Sequence, residues 1–277
     1  MLRIKLALIT NMSTKYRFCG LIFIAFTNLC ISTPAYSHDE FISVIENVKP
    51  SMVTIRANKK KSFFKTSKQR ERESILGEYN DFFENGFDKL PPQRNGSGFI
   101  IDTNAEYSWI LTAAHVVVGS SKIIVTTSQG SSLNATLLRS DSGSDIALLQ
   151  VNSGQLPTLM LSENSLKEGQ SVLGIGAAFS LSMSSSLGIV SALDVKLPAL
   201  SKTPLIQTDV SVNPGTSGGA LINSSAEVAG LITKIYSSTG VFSGSSFAVP
   251  AKKIKGLLQR WRKDLAVPIT AEKNAKQ

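Results

Sequence analysis

Short apolar segments, separated by turns rich in Gly, Ser, Asn and Asp, recur along most of the chain after residue 50. Segments of this length and composition are typical of β-strands. No helical segments alternate with them, which disfavours a parallel α/β fold and predicts an all-β protein. We predict strands at Met52–Arg56, Gly96–Ile101, Trp109–Leu111, Lys122–Thr127, Ala135–Leu138, Ile146–Val151, Ser171–Ile175, Ser185–Leu193, Leu205–Asp209, Gly219–Ile222, Val228–Ile235 and Ser246–Val249.

Helical periodicity is confined to the two ends of this region. Glu40–Val48 has a short helical rhythm, and a second one follows Pro250. There Lys and Arg occupy one face, and the other carries Ile254, Leu257, Leu258, Trp261 and Leu265. We predict a helix over about 251–263 that docks this apolar stripe on the last strands. The alternative is a basic amphipathic helix lying on a membrane surface.

A charged segment interrupts the β pattern between residues 58 and 95. It contains five phenylalanines, Phe63, Phe64, Phe82, Phe83 and Phe87, and ends at Pro91-Pro92. A stretch of this length without regular structure is uncommon inside a compact domain and is usually either functional or disordered.

The first 37 residues have the pattern of a secretory signal peptide. They contain four basic residues, no Asp or Glu, and the apolar run Phe18–Ile31. We predict cleavage after Ser37, with either Met1 or Met12 as the initiator. A retained anchor helix is the alternative, but the run falls short of the roughly 20 residues that a bilayer requires. The mature chain would have 240 residues, enough for one large all-β domain or two small ones.

Removal of this segment changes the charge and the cysteine content. Net charge falls from +9 to +5 with the loss of the four basic residues. The remaining positive charge concentrates at Lys59–Arg72 and Lys252–Lys263, without a recognition motif or an aromatic platform, so we expect no nucleic-acid partner. Both cysteines, Cys19 and Cys30, lie within the signal, so the mature chain has no disulfide framework.

His115 is the candidate for imidazole chemistry, since the other histidine, His38, lies at the N-terminus of the mature chain. It follows the strand that begins at Trp109 and the small residues Ala113-Ala114, which leave room for the ring to enter a cleft. Taken alone, a histidine in this position is more often structural than catalytic.

Asp145 directly precedes the apolar strand that begins at Ile146. A carboxylate at the edge of a core needs a partner, such as an imidazole N–H, to offset its desolvation. The alternative is a turn aspartate that caps the backbone, for which Asp141 is the better candidate.

Ser217 lies in a glycine-rich turn, Asn213–Gly219, that leads into a strand. Glycine admits backbone conformations that other residues avoid, so the amides of Gly215 and Ser217 could point together at an oxyanion. A Gly-Ser-rich turn alone is unspecific. Together, however, His115, Asp145 and Ser217 supply a base, an orienting acid and a nucleophile, which acyl transfer from an amide requires.

Six strings, GSGFIID, WILTAAHVV, DSGSDIALLQV, SSLGIVSA, IQTDVSVNPGTSGGALIN and SSFAVPAKKI, resemble the protease domain of the HtrA/Deg family of trypsin-like serine endopeptidases. The resemblance spans roughly residues 41–262. It implies a chymotrypsin/trypsin-like double β-barrel, with barrel one at about 41–153 and barrel two at about 156–250, within a domain of residues 38–265. It also implies a role in envelope protein quality control and trimeric or higher assembly.

The resemblance assigns roles by position. It makes His115, Asp145 and Ser217 the catalytic triad, and Gly215 the oxyanion-hole glycine. Extended substrate would pair with Leu231, Ile232, Thr233 and Lys234. The segment 58–95 corresponds to a loop that regulates access, which makes its phenylalanines a gate or a subunit contact, and Asp194–Pro204 corresponds to a sensor loop.

Three features depart from the family pattern. Thr216 replaces the usual Asn before the nucleophile, and Gly176–Phe179 differs from the usual Asn-Pro-Phe or Ser-Pro-Phe sequence. Because only a polar tail, 266–277, follows the helix, we expect no PDZ domain. Six positions before the nucleophile stands Ser211, not an Asp that could bind a basic side chain, so we do not expect cleavage after Lys or Arg. The resemblance instead implies a substrate preference for small aliphatic residues at the cleavage site.

The sequence therefore predicts a serine endopeptidase of the bacterial periplasm or exterior that cleaves unfolded or exposed polypeptides. It needs no cofactor or metal, it could form a homotrimer, and it is not expected to stay inserted in a membrane. The alternatives are a non-catalytic chaperone or peptide-binding module on the same fold, and a dedicated secreted protease with one target.

Overall fold

Twelve strands close into two six-stranded antiparallel barrels in the computed structural model. The structure describes residues 39–59, 93–180, 182–197, 202–235 and 244–264. The predicted signal peptide at 1–37, the five phenylalanines of the 58–95 segment and the polar tail at 266–277 lie outside these ranges. The all-β double barrel with a C-terminal helix is confirmed.

The first barrel has the strand order β1-β2-β3-β6-β5-β4. Its strands are β1 (Met52–Lys59), β2 (Gln93–Thr103), β3 (Ser108–Ala113), β4 (Ser120–Thr127), β5 (Ser132–Asp141) and β6 (Ile146–Val151). Both β3 and β6 lie almost wholly in the interior, and Trp109 and Phe99 are among the largest fully buried side chains. This burial explains why most residues of these strands are apolar.

The second barrel has the order β10-β11-β12-β9-β8-β7. Its strands are β7 (Ser171–Gly176), β8 (Ser184–Val195), β9 (Leu205–Thr208), β10 (Ala220–Ile222), β11 (Val228–Ile235) and β12 (Ser246–Pro250). Strands β6 and β11 have the predicted bounds, and most of the others extend by one to three residues at an end because a neighbouring strand supplies backbone partners.

In the part of the chain that the structure describes, three α-helices accompany the barrels: α1 (Asp39–Val48), α2 (Ala114–Val117) and α3 (Ala251–Asp264). Helix α3 contacts β11 and β12. The stripe residues that the structure describes, Ile254, Leu257, Leu258 and Trp261, are buried there, with Ile254 fully inaccessible. This part of the stripe therefore packs on the barrel and does not face a membrane surface, and Leu265 lies outside the described residues. Among the described residues, no helix combines the length and apolar character that spanning a membrane would require.

The bounds of the predicted segment at 58–95 are wrong at both ends. Residues Asn58 and Lys59 belong to β1, and β2 already begins at Gln93. Asn58 pairs with both Gln93 and Lys122. These polar residues form strand because neighbouring strands supply partners for their backbone groups, although their residue types give no β signal.

Candidate functional site

His115 and Asp145 meet because their strands are neighbours. Strand β3 pairs with β6 so that Ala113 lies opposite Ile146, which brings the residues that follow β3 next to the residue that precedes β6. His115 is the second residue of α2. Its Nδ1 lies 2.7 Å from Asp145 Oδ2, and its backbone N–H donates to Asp145 Oδ1 at 2.9 Å.

Asp145 is held by its backbone as well as by its side chain. Its φ of 57° lies in the left-handed region, which Asp tolerates better than most residues. Its carbonyl accepts a hydrogen bond from Ala114 N–H at 3.1 Å. The side chain of Asp145 is 8% exposed and that of His115 is 39% exposed. The carboxylate is therefore shielded while the imidazole can meet a molecule from solvent.

Asp141 and Ser144 form the turn that precedes Asp145. Asp141 Oδ2 accepts hydrogen bonds from both the N–H, at 3.1 Å, and the hydroxyl of Ser144. Asp141 thus has the turn role for which the sequence favours it, and Asp145 is left to contact His115.

Thr233 joins the acid to the serine. Its hydroxyl donates to Asp145 Oδ2, and its carbonyl accepts a hydrogen bond from Ser217 Oγ at 3.1 Å. No hydrogen bond joins Ser217 to His115, both of which the structure describes. Ser217 therefore reaches the His115–Asp145 pair through Thr233. Sequence reasoning missed this contact, since the resemblance gave Thr233 only a role in binding substrate.

Two glycines in the turn around Ser217 have conformations that favour glycine. Gly215 has φ of 96° and Gly218 has φ of 85°. A Cβ at Gly218 would overlap the carbonyl oxygen of Ser97 and the hydroxyl of Thr112. The N–H groups of Gly215 and Ser217 donate to no acceptor among the described residues, so both are available to an oxygen of a bound molecule.

Two of the three departures from the family pattern lie in this turn or contact it. Thr216 is buried, and its hydroxyl accepts a hydrogen bond from Asn213 N–H at 3.3 Å. Phe179, with φ of 53°, donates its N–H to the carbonyl of Pro214 at 2.6 Å, while its side chain is half-exposed.

The first part of strand β11 lies between β10 and β12, whereas its last residues extend beyond the end of β10. Leu231 lies opposite Ala220 and Val249. Ile232 donates to the carbonyl of Gly219 at 2.9 Å and accepts from Gly218 N–H at 2.7 Å. Of the four residues predicted to pair with substrate, Leu231 and Ile232 thus have their backbones engaged within the sheet. Lys234 lies beyond the end of β10, opposite Phe247 of β12.

Arg94 supports the backbone that carries His115. Its guanidinium donates to the carbonyl of His115 at 2.8 Å and to that of Val118 at 3.0 Å. Charge-assisted hydrogen bonds of this kind stabilise the last carbonyls of a helix. The sequence carries no signal for this contact, because Arg94 lies within a segment that reads as irregular.

The site contains the groups that acyl transfer requires. Within the described ranges, no cluster of three His, Cys, Asp or Glu side chains could hold a metal ion.

This chain is similar to known proteins in both sequence and structure. A family model described as trypsin-like peptidase domain matches residues 96–231. A probable periplasmic serine endoprotease DegP-like of Ectopseudomonas mendocina is 38% identical over 224 residues, covering 76% of this chain and 47% of that protein. A protein of the same description from Halomonas elongata is 42% identical over 173 residues, covering 62% of this chain and 36% of the relative.

The solved structure described as HtrA-type protease AlgW with tripeptide superposes with a TM-score of 0.64 at 27% identity. The alignment covers 79% of this chain and 62% of that one. This chain spans about half the length of the curated relatives it matches.

Proposed function

Because this chain contains a trypsin-like peptidase domain of the HtrA type, we propose that it is a serine endopeptidase. In this proposal Ser217 is the nucleophile, His115 is the general base and Asp145 orients His115. The observation that carries it is the 2.7 Å contact between His115 Nδ1 and the buried carboxylate of Asp145.

The His115–Asp145 contact supports a general base with a defined tautomer. A proton on Nδ1, donated to Asp145, leaves Nε2 free to accept the proton of the Ser217 hydroxyl. Asp145 also stabilises the imidazolium that forms. Ser217 Oγ must first leave the carbonyl of Thr233, by a change of its side-chain rotamer.

The reaction forms and then hydrolyses an acyl-enzyme. Ser217 Oγ attacks the scissile carbonyl as its proton passes to His115 Nε2, and the N–H groups of Gly215 and Ser217 donate to the resulting oxyanion. Collapse breaks the C–N bond, and the protonated His115 gives its proton to the leaving amine. Water, deprotonated by His115, then attacks the ester and releases Ser217.

Extended polypeptide is the proposed substrate class. The backbone of β11 beyond Ile232 has no β10 partner, so Thr233 and Lys234 offer an edge to which an unfolded segment could add as a strand. Leu231 and Ile232 then support this edge from within the sheet. A folded protein would have to expose a strand or loop to be cut.

The periplasm is the proposed location, since residues 1–37 have the pattern of a signal peptide and the relatives are named periplasmic. Envelope protein quality control and assembly as a homotrimer are part of the proposal and follow from the family resemblance. We also propose that the exported chain does not remain inserted in the membrane.

Covalent labelling tests the nucleophile. The purified chain is treated with a fluorophosphonate and then digested, and the labelled peptide is identified by mass. We expect the label on Ser217, and we expect Ser217→Ala to lose both labelling and casein cleavage. Ser131→Ala, in an exposed turn between β4 and β5, is the matched control and should retain both. Casein cleavage that persists in Ser217→Ala would contradict the assignment.

A non-catalytic chaperone on the same fold is the second candidate. The observation that favours it is the hydrogen bond of Ser217 to Thr233 instead of His115. A chaperone would suppress aggregation of denatured casein without labelling or cleavage. The cleavage rates of denatured casein and of folded proteins are then compared. A quality-control protease should cut denatured casein faster, whereas a dedicated protease should cut one particular folded protein.

A further inference from the structure

Each backbone carbonyl from Asn213 to Ser217 accepts a hydrogen bond. Pro214 O accepts from Phe179 N–H at 2.6 Å, and Thr216 O accepts from Gly219 N–H at 2.8 Å. The carbonyls of Gly215 and Ser217 both accept from one residue, Ser97. Its hydroxyl donates to Gly215 O at 2.6 Å, and its N–H donates to Ser217 O at 2.8 Å.

Ser97 belongs to the other barrel. It lies on β2 of the first barrel and is completely inaccessible to solvent. Its hydroxyl also accepts a hydrogen bond from Ala177 N–H of the second barrel at 2.8 Å, and its carbonyl accepts from Thr112 Oγ1 at 2.7 Å. Every polar group of Ser97 is therefore engaged, and its hydroxyl bonds only second-barrel groups.

These contacts determine where the N–H groups of the turn point. Because a peptide group is planar, a carbonyl held by a donor also fixes the direction of the next residue's N–H. The carbonyl of Gly215 belongs to the peptide group that lies between the two groups carrying the N–H of Gly215 and the N–H of Ser217. The hydroxyl of Ser97 thus fixes the orientation of the peptide group between Gly215 and Thr216. The direction of the Gly215 N–H relative to the Ser217 N–H depends on this orientation.

We propose that Ser97 is a positioning residue for the oxyanion site, acting across the barrel interface through its hydroxyl on the carbonyl of Gly215. The inference rests on the proposed serine endopeptidase function. Without the hydroxyl, Gly215 O and Ala177 N–H would both be buried without partners. The peptide after Gly215 would rotate toward other donors, which glycine permits at little steric cost. The two N–H groups would then no longer converge on one oxygen.

The test is steady-state hydrolysis of a peptide substrate by the full chain carrying Ser97→Ala. We expect kcat to fall about ten- to hundredfold with KM within about twofold, because the oxyanion exists only in the transition state. A peptide aldehyde, which forms a tetrahedral adduct with the serine, should lose affinity by a similar factor. The product peptide of the same sequence, which makes no oxyanion, should bind within about twofold of its wild-type affinity.

Ser108→Ala is the matched control. Ser108 is also fully buried in the first barrel and donates its hydroxyl to a backbone carbonyl, that of Ser153, at 2.5 Å. It begins β3, whereas His115 follows the end of that strand. A similar loss of stability is expected in both variants, but only Ser97→Ala should lose kcat and aldehyde affinity.

The outcomes separate this inference from the proposed function. Wild-type kcat in folded Ser97→Ala, or equal losses for the aldehyde and the product peptide, would overturn it. Absence of hydrolysis by the wild-type chain would instead reject the endopeptidase itself. If Ser97→Ala does not fold, Ser97→Cys replaces it, because the thiol keeps the volume but donates weakly. An intermediate kcat with unchanged KM supports the inference, and an unchanged kcat overturns it.

Discussion

Ser217 donates its hydroxyl hydrogen bond to the backbone carbonyl of Thr233, at 3.1 Å. The side chain of the same threonine donates to Asp145, which in turn contacts His115. One residue of β11 thus connects the serine to the acid through two different groups. Because these groups are a backbone carbonyl and a side-chain hydroxyl, mutation can remove one and leave the other.

Thr233→Val should lower kcat about tenfold. Valine matches the shape of threonine but removes the donor to Asp145 Oδ2, so the carboxylate is less firmly oriented toward His115. The carbonyl that accepts from Ser217 remains. Thr233→Ser, which retains the hydroxyl, is the control and should keep kcat within about twofold to threefold of wild type. Peptide hydrolysis measures both, and equal rates for valine and serine would contradict the role of the hydroxyl.

Asp145→Asn should reduce kcat by about 10⁴-fold, the size of the effect in other Ser-His-Asp enzymes. Asparagine cannot stabilise an imidazolium, and its NH₂ group would favour the wrong tautomer of His115. The fold should persist, since asparagine also tolerates the left-handed conformation with φ of 57°. Circular dichroism checks the fold and peptide hydrolysis checks the rate. A variant with near wild-type kcat would show that Asp145 does not orient His115.

Gly218→Ala should destabilise the protein by more than about 3 kcal/mol and abolish activity. The left-handed conformation alone costs an added Cβ about 1–2 kcal/mol. At Gly218 the Cβ would also overlap the backbone of Ser97 and the hydroxyl of Thr112. Gly130→Ala is a matched control, because Gly130 has nearly the same φ, 86°, and its Cβ would meet nothing within 4 Å.

Urea unfolding distinguishes these two glycine variants. Gly130→Ala should lower the free energy of unfolding only by the cost of the left-handed conformation, about 1–2 kcal/mol, and the variant should keep its activity. If both variants lose the same stability, the close approach between the barrels at Gly218 is not what excludes a side chain there.

Leu257→Ala should lower the free energy of unfolding by about 2–5 kcal/mol, the usual cost of truncating a buried leucine. Leu257 is 3% exposed and lies on the face of α3 that packs on the second barrel. Lys252→Ala, an exposed position on the same helix, should change stability by less than about 0.5 kcal/mol. A negligible effect of Leu257→Ala in urea unfolding would contradict the docking of the helix.

The prediction of the fold succeeded where the local signal and the tertiary structure agree. Strand β6, Ile146–Val151, is almost entirely apolar because it is buried on both faces, and its predicted bounds match the structure. The ends of β1 and β2 were missed because polar residues such as Asn58 and Gln93 form strand only when a partner strand supplies hydrogen bonds.

The sequence by itself determined which residues could supply a base, an acid and a nucleophile. His115 is one of two histidines, Asp145 precedes an apolar strand, and Ser217 stands in a glycine-rich turn. These properties are local, because they depend on residue type and immediate neighbours. They suffice to name the candidates and their chemistry.

Only the tertiary structure decided how these groups are connected. Two connections have no signature in the sequence: the hydrogen bonds that link Ser217 to Asp145 through Thr233, and the hydrogen bond from the Ser97 hydroxyl to the carbonyl of Gly215. Ser97 and Gly215 are 118 positions apart and belong to different barrels. Their contact depends on strand register, barrel closure and the packing of one barrel on the other, which are collective properties of the whole fold.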